Sequence, residues 1–203
     1  MKGTPVAKYH VFVSYQNLDV EDFDVMEMVL EHAPDAAVSK VDSKTVVSSE
    51  LEAPCAQDAV EILVQALRRA VPAARPLSVQ LQLQSISEIA AGVGLNREAV
   101  RLWTTGRRGP GDFPAPIDAV GGDRTKVWAA RDVWDWLEHN ELPHDEARPL
   151  SIAETVDATR AIDRLWRRWH NQPTLVDAAH WRTVKTDETV VQVRGTTRRA
   201  TAI

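Results

Sequence analysis

The sequence predicts an α+β protein, and three features carry that prediction. The first eighty or so residues alternate strand and helix patterns, two short helical segments around a glycine turn follow, and an amphipathic helix lies near the C-terminal end. Three segments are expected, at residues 1–83, 84–142 and 143–203.

In the first segment, KYHVFVSY alternates Tyr9, Val11 and Val13 with His10, Phe12 and Ser14, as a strand with two different faces does. After Asn17, VEDFDVMEMVLEHA sets Phe23, Met26, Val29 and Leu30 at helical spacing, with Asp19 as the cap and acids in the first turn. AAVSKVDSKTVVSSELEA reads as two short strands around a turn at Asp42 to Lys44. Ala59 to Val71 reads as a second amphipathic helix on Val60, Ile62, Leu63, Leu67 and Val71. SVQLQLQS closes the unit with a period of two, placing Val79, Leu81 and Leu83 opposite Ser78, Gln80, Gln82 and Gln84. This βαββαβ order is that of the split βαβ, or ferredoxin-like, sandwich.

That arrangement hosts many unrelated activities, so it assigns none. It contains no glycine-rich phosphate loop, no paired cysteines and no histidine cluster. His10 stands alone on a strand and reads as a satisfied or exposed histidine. The acids around the first helix read as a solvated face, because their spacing does not converge oxygens on a cation. Cys55 is the only cysteine of the chain. It can form no internal disulfide, and its place just ahead of an apolar helical segment suits a small buried or half-buried residue.

At 203 residues, 44% of them hydrophobic, the chain can fill one sizeable core or two to three small ones. No apolar run approaches the roughly 20 residues of a membrane helix, and the start has no signal-peptide pattern, so a soluble, cytoplasmic protein with no membrane partner is expected. The formal charge of -5 is unevenly distributed. Residues 1–83 carry twelve acids against seven bases, whereas Arg97 to Arg131 carries seven bases against Glu98, Asp112, Asp118 and Asp123. A locally basic surface on an acidic protein is a candidate site for a polyanion.

The basic region begins with SISEIAAGVGLNREAVRLW. Ser85 or Ser87 can cap a helix with Ile86, Ile89 and Ala90 inward. Asn96 can cap a second with Val100 and Trp103 inward. Two short helices that cross closely need a small residue at the contact, which Ala90 supplies, and a turn that accepts left-handed backbone, which Gly94 does. Apolar residues at Ile89, Val93, Leu95, Val100 and Trp103 complete the spacing of a DNA-binding helix-turn-helix. GRRGPGDFPAPIDAVGGDRTKVWAARDVWDWL then supplies an extended FPAP segment, a GGD turn between short extended pieces, and a further helix from Asp132. Trp128, Trp134 and Trp136 read as core anchors for these pieces.

SEIAAGVGLNREAVRLW, GGDRTKVW and RDVWDWL together resemble the winged helix-turn-helix of the MerR and excisionase superfamily over residues 85 to about 140, a little over a quarter of the chain. The chain departs from that pattern at Asp123, where relatives often have a histidine or base, and in the longer, proline-richer RRGPGDFPAP. The resemblance implies a recognition helix at 96–105 in the major groove and a wing at 120–128 on the DNA backbone. Arg97, Glu98 and Arg101 would face base edges, with Arg97 or Arg101 on a guanine and Glu98 on a cytosine amino group. Thr104, Thr105, Arg107 and Arg108, with Arg124 and Lys126 of the wing, would meet phosphates. Stretches such as TTGRRGPG provide exposed bases without nearby acids, as phosphate neutralisation requires.

After the linker LPHDEARP, SIAETVDATRAIDRLWRRW reads as a helix opened by a Ser151/Glu154 capping box, with Ala158, Ile162, Leu165 and Trp169 on its apolar side. Helix 151–169 can pair two copies of the chain, as the resemblance implies, or dock within one. His170, His180 and the nearby acids do not have metal-ligand spacing. Residues 174–194 are expected to form a helical turn and a short hairpin, and 195–203 a tail.

The expectation is a double-stranded-DNA-binding protein, a transcriptional regulator, with no catalytic residues, metal or cofactor. Two alternatives stand beside it: an excisionase-like accessory factor that bends DNA, and a ligand-sensing or enzymatic N-terminal domain with DNA binding as its output.

Overall fold

The computed structural model describes residues 6–41, 44–120, 125–171, 181–186 and 189–194. The protein is mixed α+β, with six helices among the described residues. It divides into two compact units, Met1–Arg164 and Leu165–Ile203. No helix of the described residues is long and apolar enough to cross a membrane.

Unit 1 opens with β1 (Ala7–Gln16), α1 (Phe23–His32), β2 (Ala37–Val41), β3 (Lys44–Ala53), α2 (Ala56–Ala70) and β4 (Arg75–Val79). The strands form an antiparallel sheet in the order β2-β3-β1-β4. The alternation seen in the sequence sets its core: Tyr9, Val11, Val13 and Tyr15 are buried, whereas His10 and Phe12 are half-buried. Ser14, buried on the second row, hydrogen-bonds Ser78 of β4. α2 packs on β1 and β3 through Ala59, Val60, Leu63, Val64 and Leu67.

Several local expectations are corrected. The cap of α1 is Asp22, which accepts from the Asp24 and Val25 amides, while Asp19 accepts from Glu21 N–H one turn earlier. Of the expected apolar face of α1, Val29 is fully buried, Met26 is half-buried, and Phe23 and Leu30 are exposed. Ile62 of α2 is also exposed, because the buried stripe runs through Val60 and Val64 instead. Cys55 is exposed, at the N-cap of α2, where its side chain makes no capping bond.

The single strand expected at SVQLQLQS is two. β4 ends at Val79, and β5 (Leu83–Ser85) belongs to a different sheet. Between them the chain still follows the edge of β1, with Gln80 N–H on Phe12 O (2.7 Å) and the Gln82 carboxamide on His10 O (2.9 Å). The period of two records this extended path, but the second half of the strand finds another partner.

β5 is followed by α3 (Ile86–Gly92), α4 (Arg97–Thr104), β6 (Asp118–Val120), β7 (Thr125–Ala129), α5 (Ala130–His139), β8 (Arg148–Pro149) and α6 (Ile152–Asn171). β5, β7 and β6 form a three-stranded antiparallel sheet in that order. β8 returns to the first sheet and pairs in parallel with Tyr9 and His10 of β1.

α6 starts with the expected capping box: Ser151 N–H donates to the Glu154 carboxylate (2.8 Å) and Glu154 N–H donates to Ser151 Oγ (3.2 Å). Within unit 1, Thr155, Ala158, Ala161 and Ile162 are buried, and Thr159 Oγ1 accepts from Val79 N–H (3.0 Å). In unit 2, β9 (Trp181–Thr186) and β10 (Thr189–Arg194) pair antiparallel, which is the expected hairpin ladder. The helical turn and the tail expected at 174–180 and 195–203 lie outside the described residues.

Candidate nucleic-acid interface

The two short helices form where the caps predict. Ser85 caps α3 in a reciprocal box with Glu88, whose carboxylate accepts from Ser85 N–H (2.6 Å) and is thereby held below the usual glutamate range. Asn96 Oδ1 caps α4 by accepting from Ala99 N–H (2.8 Å). The turn between them closes through Leu95 N–H on Ala90 O (2.9 Å), with Gly94 at φ +68. That left-handed conformation suits glycine. Ile89, Ala90 and Val100 are buried in one cluster with Trp128, Val133, Trp136 and Leu137. Leu95, which the apolar spacing of the helix pair includes, is 44% exposed.

α4 ends in a pair of bonds typical of a left-handed glycine stop: Gly106 N–H to Trp103 O (3.0 Å) and Arg107 N–H to Leu102 O (3.0 Å), with Gly106 at φ +65. This fixes where Arg107 and Arg108 leave the helix. Both are exposed, and neither makes a salt bridge among the described residues. The long linker that follows is held by aromatic side chains. Trp136 Nε1 donates to Gly111 O and Trp128 Nε1 to Pro114 O, each at 2.9 Å, and Phe113 stacks edge-on against both indoles. Trp103 lies 5.3 Å from Trp136, and Gly109 covers the Trp103 indole so closely that a Cβ there would overlap it. Trp128 and Trp136 are therefore core anchors, whereas Trp134 is half-buried, its N–H on Asp145 O.

Besides Arg107 and Arg108, the described contact residues predicted from the sequence fall into three groups. Arg97, the first residue of α4, and Lys126 of β7 line one open cleft of about 460 Å3 together with Ser85, Ile86, Ser87 and Thr125. No carboxylate side chain is among the described residues that line it. Glu98 and Arg101 pair with each other on the exposed face of α4, Arg101 Nε donating to Glu98 Oε2 at 2.7 Å. Hydrogen bonding from Arg101, helped by the charge of Arg107, holds the Glu98 carboxyl below its ordinary range, and the same pairing raises Arg101. The Thr104 and Thr105 hydroxyls both donate to Arg101 O (3.0 Å), so they are tied to the helix end. Arg124, with Asp123, lies outside the described residues.

Ser87 and Thr125 are cleft residues that the sequence reading did not single out as contacts. The signal was the second serine of SIS: once Ser85 caps the helix, Ser87 is left on its exposed first turn. Among the described residues no three His, Cys, Asp or Glu side chains are grouped to hold a metal ion. Comparison of the chain with family models, with characterised proteins and with solved structures gives no match.

Proposed function

We propose that the protein binds double-stranded DNA sequence-specifically and acts as a transcriptional regulator. The observation that carries this reading is the cleft in which Arg97 and Lys126 converge from two different elements, with no carboxylate among the described lining residues. Phosphate binding requires such unneutralised bases, and their arrival from a helix start and a neighbouring strand suits a duplex backbone crossing between them. In this reading residues 85–140 form a winged helix-turn-helix: α3 and α4 are the helix pair, β6 and β7 the wing and α5 the following helix. α4 lies in the major groove, and Arg107 and Arg108 meet phosphates beyond its end.

The order β2-β3-β1-β4, wholly antiparallel, supports a ferredoxin-like sandwich for the first segment. Pairing of two copies through helix 151–169 has less surface than its sequence promised, since Ala158 and Ile162 are buried within unit 1.

Selection of bound duplexes from a random pool at near-physiological salt tests the reading. An enriched motif is expected; absence of any enrichment overturns sequence-specific binding. On the enriched site Arg101→Ala is expected to weaken binding by about ten-fold and relax specificity at one base pair. Equal loss on all sequences assigns Arg101 to a phosphate instead.

A further inference from the structure

A half-enclosed cavity of about 190 Å3 lies in unit 1, bounded by β1, α3, α5 and the segment leading into β8. Its floor is apolar, built from Ile89, Val133 and Leu137, and its rim carries His10, Gln84 and Asp145. Among the described residues the His10 ring, the Gln84 carboxamide and the Asp145 carboxylate accept or donate no side-chain hydrogen bond, so the rim retains unused polar capacity. An apolar floor beneath a few convergent polar groups is the form of a small-molecule site.

The size and charge of the cavity restrict its occupant. A dry cavity of roughly 150 Å3 accepts benzene, so this one takes a single six-membered ring with one or two small substituents and excludes a nucleotide. No lysine or arginine is among the described residues that line it, whereas Asp145 is, and Glu50 adds negative potential at His10. Burial lowers the proton affinity of His10 against the opposing pull of Glu50 and Asp145, which favours a neutral ring able to accept one hydrogen bond. The half-buried indole of Trp134 forms part of the wall, in edge contact with His144.

We propose that this cavity binds a one-ring aromatic heterocycle, neutral or singly cationic, with N–H donors along one edge. The ring lies against the apolar floor and Trp134, and the donor edge meets Asp145 and His10. An anion of the same size is excluded by the carboxylate. The proposal does not depend on DNA binding, and its test contains no DNA.

The test is calorimetric titration of the full chain with 2-aminopyridine, and with benzoate as an anion of similar size. Saturable binding of 2-aminopyridine, at least ten-fold tighter than benzoate, is expected. Two variants assign the site. Outside its own helix turn, a Cβ at Gly92, a lining residue, meets nothing within 4 Å, so Gly92→Leu adds bulk at the cavity without a clash against another element and is expected to weaken binding at least ten-fold. Asp145→Asn, at an exposed position that folding tolerates, is expected to reduce the preference over benzoate at least five-fold. Failure of 2-aminopyridine to bind, equal binding of benzoate, or unchanged affinity in both variants overturns the proposal.

Discussion

The antiparallel sheet region and the α3–α4 region of unit 1 treat charge in opposite ways. In the first, two lysines that face solvent are paired, Lys8 with Glu50 (2.7 Å) and Glu146 (3.5 Å) and Lys40 with Glu21 (2.6 Å), whereas Lys44 makes no salt bridge among the described residues. In the second, the acids are the groups taken up locally, Glu88 by its own helix cap and Glu98 by Arg101, while Arg97, Arg107, Arg108 and Lys126 make no salt bridge among the described residues. Exposed pairs add little stability, so this pattern says little about folding. It concerns which charge is left for a partner: mainly carboxylates on the sheet region, and several bases around α4.

The strongest way to break that comparison is to remove the bases. Replacing Arg97, Arg107, Arg108 and Lys126 together by alanine is expected to reduce DNA affinity roughly a thousand-fold at physiological salt and to flatten the log-log salt dependence by about three to four. The thermal midpoint should hardly move, because all four side chains are exposed. Binding isotherms at several salt concentrations check the first point and a melting curve the second. An unchanged salt slope would place these residues away from DNA and leave the contrast without a functional meaning.

Glu154 tests a place where ion pairing is structural. Its carboxylate takes Ser151 N–H (2.8 Å), Arg148 (2.6 Å) and Arg131 (3.3 Å), joining α6 to α5 and to β8 on the first sheet. Burial opposes its ionisation, but the bonds from Ser151 and the two arginine charges outweigh that, and its carboxyl titrates below the usual glutamate range. Glu154→Ala is expected to destabilise unit 1 by about 2 to 3 kcal/mol, from a lost cap and two arginines left with fewer partners. Because the folded-state pKa is depressed, this contribution is complete above the ordinary glutamate value and is lost as pH falls through the folded one. Chemical denaturation of the wild type and Glu154→Gln at falling pH should therefore show their difference shrinking below the usual carboxylate range. A constant difference would mean that the network acts through packing and not through charge.

A smaller effect is expected at Gly109, which joins the basic loop to its aromatic support. Its φ of +100 disfavours any side chain, and a Cβ would overlap the Trp103 indole. Gly109→Ala is expected to cost about 1 to 2 kcal/mol in stability. It should also weaken DNA binding, because the loop carrying Arg107 and Arg108 must shift. Stability lost with DNA affinity unchanged would separate the support of the loop from the interface.

Much of this was legible in the sequence, and the parts that were not share a cause. The caps at Ser85, Asn96 and Ser151, the turn at Gly94 and the buried rows of β1 are local or strictly periodic, so residue type and spacing suffice to place them. SVQLQLQS was misread as one strand because the partner of its second half, β7, begins some forty residues later, and periodicity carries no information about partners. The exposure of Phe23 and Leu30 likewise depends on which stripe of α1 meets α2. Around α4 the bases were identifiable from the uneven charge, but the pairing of Arg101 with Glu98 and the meeting of Arg97 with Lys126 were not. The first depends on rotamers and the second on a contact between distant segments.

The finest distinction between the two regions lies in their buried aromatic polar groups. In the α3–α4 region the indole N–H groups of Trp128 and Trp136 both find carbonyl acceptors in the linker, so each ring contributes apolar area and also fixes a strand of chain. In the sheet region Tyr15 is 1% exposed, and its hydroxyl meets no partner among the described residues. Burial also pushes its pKa upward, so ionisation offers no relief. Tyr15→Phe removes only that oxygen from a site shaped for the ring and is expected to leave stability unchanged or raise it by up to about 1 kcal/mol, read from chemical denaturation. The corresponding loss of an acceptor for Trp136 would destabilise, since it would leave a buried donor unmatched. If Tyr15→Phe destabilises by more than about 1 kcal/mol, the hydroxyl is satisfied by a buried water, and both regions then hold their aromatic cores by the same device.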